Sequence, residues 1–161
     1  MPTTIINFFG APSSGKSTAA AQLFCDFKKK NVSCELVTEY VKDWAWEQRP
    51  ITKYDQLFIV MNQLRRETIL FDKVDFIITD SPVLLGCFYD EYYNNHQLAR
   101  HSVLAYLNMI QKQGIISTNY WLEHQGYQDT SGRYHKLSDC YEINSSMKKW
   151  LQDLNIKMEM Q

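Results

Sequence analysis

Apolar runs alternate with helical periods along this chain of 161 residues, the pattern of a parallel sheet covered by helices. "TIINFF" (4–9) is a first predicted strand, and a helix from about Lys16 to Lys30 follows it. "CELVTE" (34–39) is a second strand. After Pro50, Leu57, Met61, Leu64 and Phe71 fall near one helical face, with Thr52 and Asp55 as a capping pair at its start. "DFIITD" (75–80) is almost continuously apolar, as a strand buried on both faces should be.

A long helix is expected over 96–113, stopped by Gly114, and "ISTNYWLEH" (116–124) follows as a fourth strand. The stretch 125–136 is polar with two glycines, and Ser138 beyond it is a natural N-cap. The last helix has the clearest period: Ile143, Met147, Trp150, Leu151 and Leu154 share one face. "IKMEM" (156–160) is a fifth strand candidate. No repeat or linker interrupts the series, so one domain over 1–161 is expected.

Composition narrows the picture without changing it. A hydrophobic content of 45% suits one sizeable core, and seventeen Lys and Arg against eighteen Asp and Glu give a net charge of -1. Such a balance steers the protein globally toward neither nucleic acid nor membrane. Lys28, Lys29 and Lys30 read as a solvated helix end opposite the negative pole of the dipole. The cysteines Cys25, Cys34, Cys87 and Cys140 form no C-x-x-C pair, and the four histidines form no metal-ligand spacing. Reduced thiols, no structural zinc, no signal peptide and no membrane span are expected, hence a soluble, cytoplasmic protein.

The chemistry is concentrated in "FFGAPSSGKST" (8–18), which has the form G-x-x-x-x-G-K-[ST] between a strand and a helix. Such a loop directs backbone N–H groups and the positive helix end at phosphate. Gly10, Ala11, Pro12, Ser13, Ser14, Gly15, Lys16, Ser17 and Thr18 would form the nucleotide cradle, Lys16 reaching the β- and γ-phosphates and Ser17 ligating Mg²⁺. Asp80, ending an apolar strand, has the position of the carboxylate that holds Mg²⁺ directly or through water. Glu39 ends the second strand. In open α/β sheets ligands bind beyond the carboxyl ends of the strands, so Gly10, Glu39 and Asp80 would share one rim, where Glu39 would orient or deprotonate an acceptor hydroxyl. Trp44, Trp46 and Tyr40 beside it would stack on a flat base, and Arg65 or Arg66 would contact acceptor or phosphate.

These motifs together resemble the P-loop kinase superfamily of nucleoside and nucleotide kinases, and more narrowly the small phage-type kinase or ATPase domains related to ribosylnicotinamide kinase. The resemblance rests on "FFGAPSSGKST", "TEYVKDW", "TDSP" and "GRYHKLSDCYEINSSMKKWL". It implies a three-layer P-loop NTPase sandwich with a five-stranded parallel sheet of order 2-3-1-4-5 and a lid at about 124–137. It also implies a Gln on the third helix that pairs with the substrate base, here Gln63, and a lid arginine on the transferring phosphoryl, here Arg133. Tyr40 stands where the deoxynucleoside kinases have Pro after the acid.

The expected activity is Mg-ATP-dependent transfer of the γ-phosphoryl to a hydroxyl of a nucleoside- or nucleotide-like small molecule, with Lys16, Glu39, Asp80 and Arg133 as the catalytic set and Glu39, Trp44, Gln63 and Arg66 around the acceptor. ATP is the family's default donor; GTP stays open. Two alternatives stand beside it: a kinase of hydroxymethylated bases in DNA, against which the overall charge weighs, and a nucleotide-dependent switch whose hydrolysis changes partner binding.

Overall fold

The computed structural model describes residues 2–94, 97–124 and 135–160. Strand β1 (Thr4–Phe9) is the centre of an all-parallel sheet. It pairs on one side with β3 (Phe76–Thr79), in register Ile5↔Ile77, and on the other with β4 (Ile116–Trp121), in register Ile5↔Ser117. β2 (Cys34–Val37) adds to the free edge of β3, so four strands carry the sheet in the order β2-β3-β1-β4. The expected fifth strand is reduced to β5 (Glu159–Met160), two residues that pair parallel with Tyr120 and Trp121 at the far edge.

Alternation of side chains across the pleat sorts the core into two layers. Ile6 and Phe8 of β1 and Ile78 of β3 face α1 (Lys16–Lys29), where they pack with Ala20, Leu23, Phe24 and Phe27. Ile5 and Ile77 point the other way, toward Val37, Ile110 and Ile115, and Phe9 joins a larger cluster on that side. That side is covered by α3 (Gln56–Thr68), α4 (Val83–Asn94), α5 (Leu98–Lys112) and α6 (Leu137–Asp153). The apolar stripe predicted for the last helix is the one buried: Ile143, Met147 and Leu151 are all at most 2% exposed. Asn7, a polar residue in the central strand, is satisfied sideways by Ser117 Oγ and Asn119 Oδ1 of β4.

Three local readings change. α3 begins at Gln56 rather than Thr52, because Asp55 Oδ2 accepts hydrogen bonds from the Thr52 N–H (2.8 Å) and hydroxyl (2.7 Å) and closes a turn before the helix. α6 is entered through Lys136, whose N–H donates to Asp139 Oδ2, rather than capped by Ser138. The largest difference is α4, a helix of 12 residues in "VLLGCFYDEYYN" that the periodicity reading left unassigned. Its apolar positions run around most of the helix, since Val83, Leu84, Leu85, Cys87 and Phe88 are all buried, and no amphipathic stripe announces it. α3 and α4 approach closely at Gly86, where a Cβ would lie 2.4 Å from Val60 Cγ2.

All four cysteines are free thiols, three of them buried. Among the described residues no helix is long and apolar enough to cross a membrane, and no cluster of three or more His, Cys, Asp or Glu side chains is placed to hold a metal.

Candidate functional site

The strands all point their carboxyl ends at one rim, and a cleft of about 580 Å³ opens there. Its floor is the turn between β1 and α1, with Pro12 to Thr18 along it. Gly10 leaves β1 with φ of 151°, and Gly15 enters α1 with φ of 89°. A Cβ on Gly10 would sit 2.4 Å from Ser14 Oγ and 2.6 Å from the Leu122 carbonyl, so only glycine lets the turn close. Gly10→Ala is therefore expected to cost about 2–4 kcal/mol from overpacking and backbone strain. Urea denaturation reads the stability.

The cradle is complete in its polar groups before any ligand arrives. The first-turn N–H groups of α1 have no intrahelical acceptor, and no side chain caps them. Ser14 Oγ is buried without a hydrogen-bond partner. Lys16 folds back over the turn, donating to the carbonyls of Gly10 and Ala11 at 2.9 Å each. Ala11 itself is fully buried and meets this site only through that carbonyl. Anions are favoured where unpaired amides, a helix N-terminus and an ammonium converge.

Asp80, directly after β3 and 6% exposed, reaches the same floor. Ser17 Oγ donates to its Oδ2 at 2.5 Å, while Asp80 Oδ1 is buried with no hydrogen-bond partner. A hydroxyl and a carboxylate held together, one oxygen left over and the phosphate cradle alongside, form an oxygen donor set of the kind a small hard cation takes. The residues present thus fit Mg²⁺.

Glu39 lies just beyond β2, the strand paired with β3, and lines the same cleft with Val41 and Lys42. The backbone on both sides of it is clamped from α3. Gln63 Oε1 accepts from the Tyr40 N–H (2.8 Å), Gln63 Nε2 donates to the Thr38 carbonyl (3.4 Å), and Arg66 Nη1 donates to the same carbonyl (3.2 Å). Two of the residues expected around an acceptor are thereby placed against the backbone that carries Glu39. Gln63, 4% exposed, and Arg66 are outside the cleft lining; both ends of the Gln63 amide are engaged with the chain that carries Glu39.

Trp44, also expected there, is placed in the core beside the cleft. It is 5% exposed, packed against Phe58 and Tyr40 on α2 (Lys42–Trp46), and absent from the cleft wall. A helical step of two residues turns Trp46 to a different side, and it is Trp46, 60% exposed, that lines the cleft. Arg133 and most of the expected lid lie outside the described residues.

Several lining residues were missed in the sequence. Gln56 opens α3 into the cleft, its amide fixed by donation from Nε2 to the Gly86 carbonyl at 3.1 Å. Tyr89 and Tyr93, one turn apart on α4, stack at an interplanar angle of 9°, and His135 stacks on both. His135 Nε2 and the Tyr93 hydroxyl are hydrogen-bonded at 2.8 Å. Burial and the neighbouring Tyr92 push the Tyr93 phenol up to about 12, so it stays neutral near pH 7. The signal was an i, i+4 tyrosine pair, readable only once α4 itself was recognised.

Comparisons with solved structures show the fold. A deoxyadenosine kinase from M. mycoides with bound dATP superposes with a TM-score of 0.57 at 13% identity, covering 98% of this chain and 89% of that one. The APS kinase of Mycobacterium tuberculosis in complex with AMPPNP and APS gives 0.50 at 15% identity, over 97% and 77% of the two chains. No curated protein sequence matches the chain. A P-loop kinase-like α/β fold with its phosphate turn, first-turn hydroxyl and strand-end acid in place agrees with a family model that matches residues 5–160, and the chain belongs to that family, the AAA domain.

Proposed function

We propose that this chain is a phosphotransferase that moves the γ-phosphoryl of Mg-ATP to a hydroxyl of a nucleoside-like acceptor. The observation that carries the reading is the division of labour between two acids. Asp80 is tied to Ser17 on the phosphate floor, whereas Glu39, from the adjacent strand end, faces the same cleft from the side. A nucleotide hydrolase needs the first acid; a second, carried on a clamped backbone beyond the neighbouring strand end, suits an acceptor hydroxyl.

The acceptor oxygen attacks the γ-phosphorus, the bond from that phosphorus to the bridging oxygen breaks, and ADP leaves with the bonding pair. The acceptor proton passes to the Glu39 carboxylate. Lys16 exchanges the Gly10 and Ala11 carbonyls for the β- and γ-phosphates, and the free amides of the turn bind the remaining phosphate oxygens. Mg²⁺, which Ser17 and Asp80 would hold, supplies charge neutralisation when bound. Arg133 would add a second cation from the lid, where guanidinium binds phosphate bidentately. In the kinases the chain resembles, a third-helix glutamine reads the base; the α3 glutamine that faces this cleft is Gln56, and Trp46, Tyr89 and Tyr93 supply flat faces beside it.

Glu39→Gln is expected to lower the rate of acceptor phosphorylation about 10²–10⁴-fold while Mg-ATP still binds. Unchanged transfer by this variant would remove Glu39 from its role. The acceptor is found by incubating the protein and Mg-ATP with nucleosides, nucleotides and pyridine ribosides and searching by mass spectrometry for a product that gains one phosphoryl group.

A further inference from the structure

Glu39 borders the main cleft and also a cavity of about 20 Å³ that it shares with Val41, Ile59 and Val83, so close-packed neighbours do not surround it. Strand pairing does not hold it either. β2 ends two residues earlier, and its ladder with β3 stops at Val37↔Thr79. A carboxylate that must meet an acceptor hydroxyl within hydrogen-bond reach nonetheless needs a fixed backbone under it.

The Thr38 carbonyl and the Tyr40 N–H belong to the two peptide planes that meet at the Glu39 Cα. Each plane is rigid, so φ and ψ of Glu39 are the only soft angles between them. The Gln63 amide is bonded to both planes, accepting from the Tyr40 N–H at 2.8 Å and donating to the Thr38 carbonyl at 3.4 Å. These are the two bonds that a residue of a neighbouring parallel strand would make around residue 39. Arg66 reinforces the longer one by donating to the same carbonyl at 3.2 Å. With both angles held, the direction of the Glu39 Cα–Cβ bond is held too.

The other end of this clamp is itself fixed. Gln63 is 4% exposed and lies on the same face of α3 as Gln56, whose amide is bonded to the Gly86 carbonyl of α4 at 3.1 Å. Val60, between the two glutamines, leaves no room for a Cβ on Gly86, so α3 is seated directly on α4. We infer that Gln63 is a positioning residue of the phosphotransferase, acting through the backbone to set where the Glu39 carboxylate stands, with Arg66 as its support; the role rests on the transfer reaction proposed above. Neither side chain lines the main cleft, so neither is required to touch a substrate.

The test measures single-turnover phosphoryl transfer by the full chain from Mg-ATP to an equimolar mixture of the common ribonucleosides and deoxyribonucleosides. Gln63→Met keeps the length of the side chain and removes both bonds. The groups it releases belong to exposed Thr38 and half-buried Tyr40, where water can take them over and the fold persists. Transfer should fall about 10–10²-fold, the scale on which a displacement of about 1 Å acts, while Mg-ATP affinity by calorimetry stays within about twofold. Arg66→Met removes one bond at a half-buried position and should lower transfer by less. In a Glu39→Gln background Gln63→Met should cost nothing further, because no carboxylate remains to be aimed.

Equal transfer by Gln63→Met and the wild type overturns the inference and leaves the kinase reading standing. So does a loss of the same size in the Glu39→Gln background, or a matching loss of Mg-ATP affinity, since the substitution then acts on the fold or the nucleotide rather than on Glu39. Amide hydrogen exchange at Tyr40 reads the clamp without turnover: it should be slow in the wild type and faster in Gln63→Met, and equal exchange in the two overturns the inference as well. A wild type that binds Mg-ATP and phosphorylates none of these nucleosides overturns the transfer reading, and the positioning role falls with it even where Tyr40 exchange shows the clamp intact.

Discussion

Lys16→Met is expected to reduce phosphoryl transfer by about 10³-fold or more, the scale on which removal of a single cation from a phosphoryl-transfer site acts. The Lys16 ammonium already lies over the turn, bonded to the Gly10 and Ala11 carbonyls, and it has only to exchange two carbonyl oxygens for phosphate oxygens when a nucleotide arrives. Methionine keeps the length of the stem and removes the charge. Two carbonyl hydrogen bonds are lost as well, worth about 1 kcal/mol each, so the variant must be compared with the wild type by thermal melting. A folded variant that turns over at the wild-type rate would exclude Lys16 from charge stabilisation. Single-turnover kinetics at saturating Mg-ATP separates the rate from any loss of nucleotide affinity.

The second large effect is on stability and lies away from the cleft. Glu67 on α3 is 2% exposed, its Oε1 has no hydrogen-bond partner, and burial pushes its carboxyl up to about 8. Tyr106 of α5, whose hydroxyl is also buried without a partner, has its phenol raised by burial and by Glu67. The unfolded chain releases the Glu67 proton near pH 4.3, whereas the folded chain keeps it until about pH 8. Between those values the native state binds the extra proton, so this contribution to stability is fully present below pH 4 and declines as pH rises through the window, by about 1.4 kcal/mol per pH unit. Urea denaturation at pH 5 and pH 8 should show the wild type less stable at the higher pH. Glu67→Met, which leaves nothing to ionise, should flatten that part of the profile and gain on the order of 3 kcal/mol at pH 8. A pH profile shared by wild type and variant would mean that the carboxyl finds a partner or water in solution.

Both effects depend on residues of different legibility. Lys16 was readable from eight positions of sequence, because the chemistry of phosphate binding at a strand-to-helix turn is local: two glycines, a lysine and a hydroxyl within one turn. The strands were readable for the same reason, as β1 and β3 are mostly apolar, Asn7 and the threonines apart, and the order of strands and helices follows their alternation. Nothing in the sequence around Glu67 sets it apart from other helical acids. Its burial follows from the packing of α3 beneath α4 and α5, to which no local pattern points.

The α2–α3 side of the cleft shows the same division more sharply. Trp44 and Trp46 are two residues apart and chemically identical; the turn of α2 against Phe58 and Tyr40 buries one and presents the other to the cleft. Gln56 and Gln63 sit on one helix, and the position of Gly86 on α4 and of the Thr38–Tyr40 backbone decides which of the two faces the cleft and which clamps the chain. The missed α4 removed Tyr89 and Tyr93 from view, since an all-round apolar helix carries no amphipathic period.

The sequence alone thus determined the glycine turn after β1, the acids that follow β2 and β3 and the class of sheet, all consequences of neighbouring residues and of the two periods of regular structure. Only the tertiary structure decided the shape and the wall of the cleft, and which of the rings and amides of α2, α3 and α4 face it. Such features arise where separate elements meet, and the angle at which two helices pack is set by their whole interface rather than by any residue on it.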